Sequence, residues 1–216
     1  MGRVIAIDGP SGAGKSTVSK AIAERLGFQY LDTGALYRAA ALFLRQRGVS
    51  PDAEYDEMAS ALKGASVMFR NGRAFLNSSD ISDDIRTTEA GHYASVFSAK
   101  KAVRDSLLQL QRDAATACDI VAEGRDMGTV VFPDAWIKIY LDASEEGRAK
   151  RRYLQLKEKG MEITMQGAIN DVRERDIRDS GRDIAPLKKA DDALLVDTTR
   201  LSFDEVIEKI LKTLDH

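Results

Sequence analysis

The stretch that decides the fold lies near the start of the chain: Val4-Ile5-Ala6-Ile7-Asp8, followed by Gly9-Pro10-Ser11-Gly12-Ala13-Gly14-Lys15-Ser16-Thr17. The first part is a short apolar run of the kind that forms a buried parallel strand. The second matches G-x-x-x-x-G-K-[ST] at Gly9, Gly14, Lys15 and Ser16. Beyond it Val18, Ala21, Ile22 and Leu26 recur on one helical face, and Gly27 stops the helix. Strand, glycine loop, helix is the context in which such a loop binds a nucleoside triphosphate. Backbone N–H groups curl around the anion, and the helix N-terminus adds the positive end of its dipole. Glycines let the backbone approach the phosphates and adopt positive φ. Lys15 is expected to reach the β- and γ-phosphates and the Ser16 hydroxyl to ligate Mg²⁺.

Working outward, the next elements repeat the alternation. Gln29-Tyr30-Leu31-Asp32 reads as a second strand. It leads into Thr33-Gly34-Ala35-Leu36-Tyr37-Arg38 and a helix to about Gly48. Strand, helix, strand, helix is the order of a parallel α/β sheet with right-handed crossovers. Ligands in such sheets bind beyond the carboxyl ends of the strands, which puts Thr33 and Arg38 on the ligand side. The pattern then breaks. Ser66–Arg70 and Arg73–Asn77 flank Asn71-Gly72, a type I′ hairpin signal that does not belong inside a parallel sheet. Residues 50–86 therefore read as an inserted lobe with a helix over 56–63, a hairpin, and a segment ending at Arg86.

Two helices follow, the second expected over 99–118 with Arg104 snorkelling beside its apolar stripe. Asp119–Ala122 is a third strand, running into Glu123-Gly124-Arg125-Asp126-Met127-Gly128-Thr129, again at a ligand-side strand end. Ala135–Asp142 and Ala193–Thr198 are the fourth and fifth strands. Ser144 caps a helix carrying Arg148, Arg151 and Arg152, spaced to share a face. Arg175, Arg178 and Arg182 project together if their helix continues that far. Alternating charge usually marks a solvated helix. Beside a phosphate loop, the arginines read instead as a mobile arm that closes over phosphates. Ser202-Phe203-Asp204-Glu205 is a capping box for the last helix.

Composition removes other chemistries. The chain has 216 residues, 44% of them hydrophobic, with a formal net charge of −2. That fits one domain with a substantial core and carries no basic field for nucleic acid or an anionic membrane. Cys118 is the only cysteine, so no internal disulfide can form, and a reducing cytoplasm is the expected location. With two histidines, His92 and His216, a histidine triad or multi-histidine metal site is not expected. No apolar run is long enough to span a membrane. What is left is one triphosphate cradle and many loop arginines without a nucleophile system, the equipment of phosphoryl transfer.

The resemblance then becomes specific. Gly9–Ser16, Asp32-Thr33-Gly34-Ala35-Leu36-Tyr37-Arg38, Gly124–Pro133, Arg178-Asp179-Ser180 with Arg182, and Ala185-Pro186-Leu187 together resemble the bacterial cytidylate kinase family, a family of P-loop nucleoside monophosphate kinases. The resemblance covers essentially the whole chain. It implies a three-layer α/β/α P-loop fold with a five-stranded parallel sheet. The core would be 1–49, 87–150 and 184–216, the NMP-binding lobe a small α+β insertion at 50–86, and the short helical lid 151–183. It implies ATP-dependent phosphorylation of CMP and dCMP with Mg²⁺. Small-molecule partners alone and a monomer are the matching expectation, although the sequence itself does not set the oligomeric state.

By the same resemblance Gly9 to Thr17, with Arg151 and Arg175, would hold ATP. Thr33, Arg38, Ser95, Arg104, Arg125, Asp126, Asp179 and Arg182 would form the CMP site. Lys15, Arg125, Asp126 and Arg178 would serve the transfer itself. Thr33 stands where a serine is common in the family and keeps the hydroxyl. An adenylate- or shikimate-type kinase on the same fold, and a nucleotide switch, are the alternative readings.

Overall fold

The computed structural model describes residues 2–70 and 73–214. In chain order its elements are β1 (Val4–Asp8), α1 (Lys15–Leu26), β2 (Gln29–Asp32), α2 (Thr33–Gln46), α3 (Tyr55–Leu62), β3 (Val67–Arg70), β4 (Arg73–Leu76), β5 (Ser79–Asp80), α4 (Thr88–Phe97), α5 (Lys101–Asp113), β6 (Ile120–Gly124), β7 (Ile137–Asp142), α6 (Glu145–Glu158), α7 (Met165–Ser180), β8 (Leu194–Asp197) and α8 (Phe203–Lys212). They fall into two compact units, Met1–Leu31 with Ala114–His216, and Asp32–Asp113.

The first unit is built on a five-stranded sheet in the order β2-β6-β1-β7-β8. The five strands expected from the apolar runs all form. β1 lies at the centre, in parallel register with β6 (Ile5↔Val121) and with β7 (Ile5↔Ile137). A strand with parallel neighbours and covered faces must be apolar throughout, and Ile5, Ala6 and Ile7 are fully buried. Val18, Ile22 and Ala23 of α1 and Val206, Ile207 and Ile210 of α8 close one hydrophobic cluster with residues of β1, β6, β7 and β8. Gly27 ends α1 in the left-handed conformation, φ 69°. Ser202 and Glu205 form both halves of the capping box on α8.

The second unit holds α2 to α5 and the three-stranded antiparallel sheet β3-β4-β5. The register Val67↔Leu76 to Arg70↔Arg73 is that of the expected hairpin. Its Asn71-Gly72 turn lies outside the described residues. Asp32 caps α2 through Oδ1, which accepts from the Ala35 N–H at 2.8 Å.

Two expectations need correction. The helix expected over 99–118 ends at Asp113. Just beyond it, the Ala115 carbonyl accepts from the Gly2 N–H at 2.9 Å, so the backbone is engaged in another contact. A Cβ at Gly2 would lie 2.1 Å from the Cys118 carbonyl oxygen, which explains the glycine. Cys118 is thus half-buried in a bend rather than on a helix face. Likewise α7 stops at Ser180, and Arg182 lies beyond it rather than in line with Arg175 and Arg178.

Replacing a fully buried aliphatic side chain leaves a cavity, whereas removing a cap loses one hydrogen bond. Ile207→Ala is therefore expected to cost ~2–5 kcal/mol in urea unfolding. Ser202→Ala should cost ~1 kcal/mol in the same measurement.

Candidate functional site

The phosphate loop leaves β1 under tight constraint. Gly9 has φ 151°, and a Cβ there would lie 2.0 Å from the Leu141 carbonyl oxygen. Only glycine fits that approach. Gly12 and Gly14 have φ of 78° and 93°, in the left-handed region that glycine occupies without strain. α1 begins at Lys15, so its leading N–H groups open toward the loop. The Lys15 ammonium is buried and donates to the Pro10 carbonyl at 2.7 Å. Burial, then the Arg125 charge, pull its pKa down to about 7, against the opposing pull of Glu123, Asp179 and Asp8. Ser16 and Thr17 are exposed.

Carboxylates and arginines brace the loop. Asp176 Oδ1 accepts from the Ser11 N–H at 3.0 Å, and its other oxygen pairs with Arg148. Arg148 also donates to the Ser11 carbonyl at 3.0 Å and to the Ala143 carbonyl at 3.0 Å. Arg151 donates to the Thr198 hydroxyl at 3.0 Å and to the Ala13 carbonyl at 3.3 Å. Arg152 instead pairs with Asp171 at 2.7 Å. Two of the three arginines that share a face in the sequence thus grip the phosphate loop, and the third turns to α7.

A second cluster forms where β6 ends. Arg125 Nε donates to Asp179 Oδ2 at 2.7 Å, and Arg182 pairs with the other Asp179 oxygen. Burial alone would raise the Asp179 pKa, but Arg125 and Arg182 hold it below the usual carboxylate range. Arg175 has a buried Nε without a hydrogen-bond partner. Burial, then the Arg125 charge, pull its pKa down to about 10. Asp126 is 2% exposed beside this cluster in sequence, and its carbonyl accepts from the Val130 and Val131 N–H groups. Arg178 turns back along α7, donating to the Glu174 carbonyl at 3.3 Å. The structure therefore gathers Arg125, Arg175, Asp179 and Arg182, and leaves Arg178 outside the set that contacts Asp179.

The second unit carries the other expected residues. Thr33, the first residue of α2, is buried. Arg38 pairs with Asp32 at 3.2 Å. Ser95 on α4 is buried, and its Oγ has no hydrogen-bond partner. Arg104 is not the snorkelling arginine expected. It is 6% exposed, donates to the Ser98 carbonyl at 3.1 Å, and has its guanidinium 5.5 Å from the centre of the Tyr37 ring. Arg86 is exposed.

Sequence reasoning missed Asp8 and Asp176. Asp8 is a buried carboxylate accepting from the Met127 and Gly128 N–H groups, each at 2.8 Å. The signal that could have exposed it is an acidic residue closing an otherwise apolar central strand. Asp176 sat unnoticed in a run of alternating charge.

The family model described as "Cytidylate kinase" matches residues 5–216. A "Cytidylate kinase" of Thermosipho melanesiensis is 52% identical over 208 residues, covering 96% of this chain and 94% of the relative. Another, of Thermodesulfovibrio yellowstonii, is 53% identical over 216 residues, covering 98% and 97%. Among solved structures, a protein of Eubacterium ventriosum described as uncharacterized matches with TM-score 0.56 at 14% identity, covering 99% of this chain and 98% of that one. A gluconokinase from Sinorhizobium meliloti matches with TM-score 0.50 at 16% identity, covering 99% and 91%. At those identities the structural likeness is one of fold. The family model spans nearly the whole chain and the relatives pass half identity, so the chain belongs to the cytidylate kinase family.

Proposed function

We propose that the protein transfers the γ-phosphoryl group of ATP to CMP and dCMP. The observation that carries this reading is the adjacency of β1 and β6: Asp8 pairs with Gly124, so the phosphate loop and Arg125 spring from neighbouring strand ends. A donor cradle and an acceptor-phosphate ligand are then held by one rigid sheet. Gly9 to Thr17 would hold the ATP phosphates, with Arg151 bracing the loop and Arg175 meeting phosphate through its free Nε. Arg125, Asp126, Asp179 and Arg182 would serve CMP, together with Thr33, Arg38, Ser95 and Arg104. The unpartnered Ser95 hydroxyl and the buried Arg104 are groups of the type that read a pyrimidine's hydrogen-bonding edge. Residues 50–86 would serve as the NMP-binding lobe and 151–183 as the lid.

The chemistry asks little of the protein beyond alignment and charge neutralisation. A CMP phosphate oxygen attacks the γ-phosphorus, the bond to the β–γ bridging oxygen breaks, and ADP leaves. The attacking group is already an oxyanion, so no general base is required. Lys15 and Arg125 neutralise the charge that develops, and Arg125 meets phosphate bidentately without ever losing its proton. Closure of the α7 segment excludes the water that would otherwise hydrolyse ATP.

Among the described residues no trio of His, Cys, Asp or Glu is placed to cage a metal. Mg²⁺ bound with a nucleotide needs none, because phosphates and waters supply most of its ligands. The exposed Ser16 hydroxyl at the start of α1 fits the remaining contact. When bound there, the ion would neutralise part of the phosphate charge. No helix among the described residues is long and apolar enough to cross a membrane. A single cysteine in place of a disulfide framework suits a reducing cytoplasm.

A coupled ADP-release assay with CMP, dCMP, UMP and AMP as acceptors tests the reading. Turnover is expected with CMP and dCMP, and ATP hydrolysis without preference among acceptors would refute it. In the same assay Lys15→Ala should lower kcat by about 10²–10³-fold. Arg125→Ala should raise the CMP KM and lower kcat, and an effect on both within about twofold would remove Arg125 from the acceptor site. A separate outcome concerns protons. Lys15 titrates near pH 7 without nucleotide, and triphosphate charge favours the ammonium form. At pH 8 ATP binding should therefore take up as much as about one proton. Calorimetric heats should differ between buffers of unequal ionisation enthalpy, and that difference should vanish in Lys15→Met.

A further inference from the structure

Asp8 is the last residue of β1, and the phosphate loop starts at the next position. Its carboxylate is buried at 4% exposure. Each oxygen takes one backbone N–H, from Met127 and from Gly128, both at 2.8 Å. These two amides open the five-residue π-helical turn Met127–Val131, directly after Arg125 and Asp126. The first N–H groups of any helical turn lack partners within it. Here the partner comes from a strand more than a hundred positions earlier.

The turn is pressed close on this side. A Cβ at Gly128 would lie 3.2 Å from the Lys138 stem and 3.5 Å from Asp8 Oδ2. Gly9, the residue after Asp8, abuts the Leu141 carbonyl of the same strand, β7. The loop that begins after Asp8 and the turn that begins after Asp126 thus share one anchor.

We propose that Asp8 is a positioning residue for phosphoryl transfer: through the Met127 and Gly128 amides its carboxylate sets the place of Arg125 and Asp126 relative to the phosphate loop. This rests on Arg125 being the acceptor-phosphate ligand. The chemistry of the side chain matters because both oxygens face donors. A carboxylate offers two acceptors and no donor. An asparagine, or a protonated Asp8, turns a donor or a hydroxyl toward one of the amides and loses that bond. The titratable groups that bear on Asp8 are Asp126 from the turn, Lys15 from the loop and Tyr140 on β7, with the Lys138 stem packed beside Gly128. Burial pushes its pKa up to about 6, against the two amide bonds. The anchor therefore holds above that pH and is lost below it.

The test combines kinetics with spectroscopy. Asp8→Asn is nearly isosteric, and it should lower kcat/KM for CMP by about tenfold to a hundredfold while the ATP KM stays within about twofold. In an Arg125→Ala background the same change should cost little more, because Asp8 acts through Arg125. A fully additive loss would mark Asp8 as a general stabiliser and overturn the proposal, as would a folded Asp8→Asn enzyme with unchanged kcat/KM for CMP. If Arg125→Ala alone leaves CMP kinetics intact, the acceptor reading itself fails, whatever Asp8 does.

A measurement on the unaltered protein does not depend on the variant folding. In a nucleotide-free ¹⁵N-labelled sample, the Met127 and Gly128 amides and the Arg125 Nε–H should titrate with one shared midpoint near pH 6. An Arg125 resonance that does not follow the two amides overturns the proposal.

Discussion

Burial of β1 between two parallel neighbours leaves its carboxyl end no freedom. Ile5, Ala6 and Ile7 are fully buried, and the strand is registered to β6 on one side and β7 on the other. Every group emerging at that end inherits the rigidity of the sheet. The glycine that follows cannot carry a side chain because the Leu141 carbonyl occupies the space. A loop that must present several N–H groups to one anion needs such a footing, since misplacement of a donor by an ångström forfeits most of a hydrogen bond.

The electrostatics around the loop follow from crowding cations in a place with little water. Burial and then the Arg125 charge lower the pKa of Lys15, and Arg175 feels Arg125 as well. Left to themselves, such cations would repel one another. The structure answers with carboxylates on one helix, three residues apart. Asp176 takes the Ser11 N–H and Arg148, and Asp179 takes Arg125 and Arg182. A buried ion pair rarely adds much net stability, but here it keeps several guanidiniums gathered.

The centre of the sheet was legible in the sequence because β1 and β6 are short runs buried along their whole length, which allows little but apolar residues. The phosphate loop was legible because its glycines have a backbone reason to be there. The hairpin strands were found from the strand-like runs on either side of Asn71-Gly72 together with that dipeptide's turn chemistry. What escaped notice was long-range. Asp8 meets residues 119 and 120 positions away, and Asp176 meets Ser11 across 165. No local period announces such a contact. The overlong reading of α5 failed for the same reason, since the backbone after Asp113 answers to Gly2 rather than to its own periodicity. Arg104 looked like a surface arginine because its spacing puts it at the border of the apolar stripe, where exposure depends on what packs alongside.

The pairing of Asp179 with both Arg125 and Arg182 bears on how the proposed site treats its ligands over a catalytic cycle. A phosphate arriving there does not fill a bare positive field. It competes with an internal anion for the same guanidiniums. The free energy of binding is then the difference between two ion pairs, one lost and one gained, rather than the full attraction of phosphate for arginine. A displaced carboxylate also waits beside the product to reclaim its partners when phosphate departs. Such exchange keeps a highly charged ligand from being held too long, which favours turnover over tight storage.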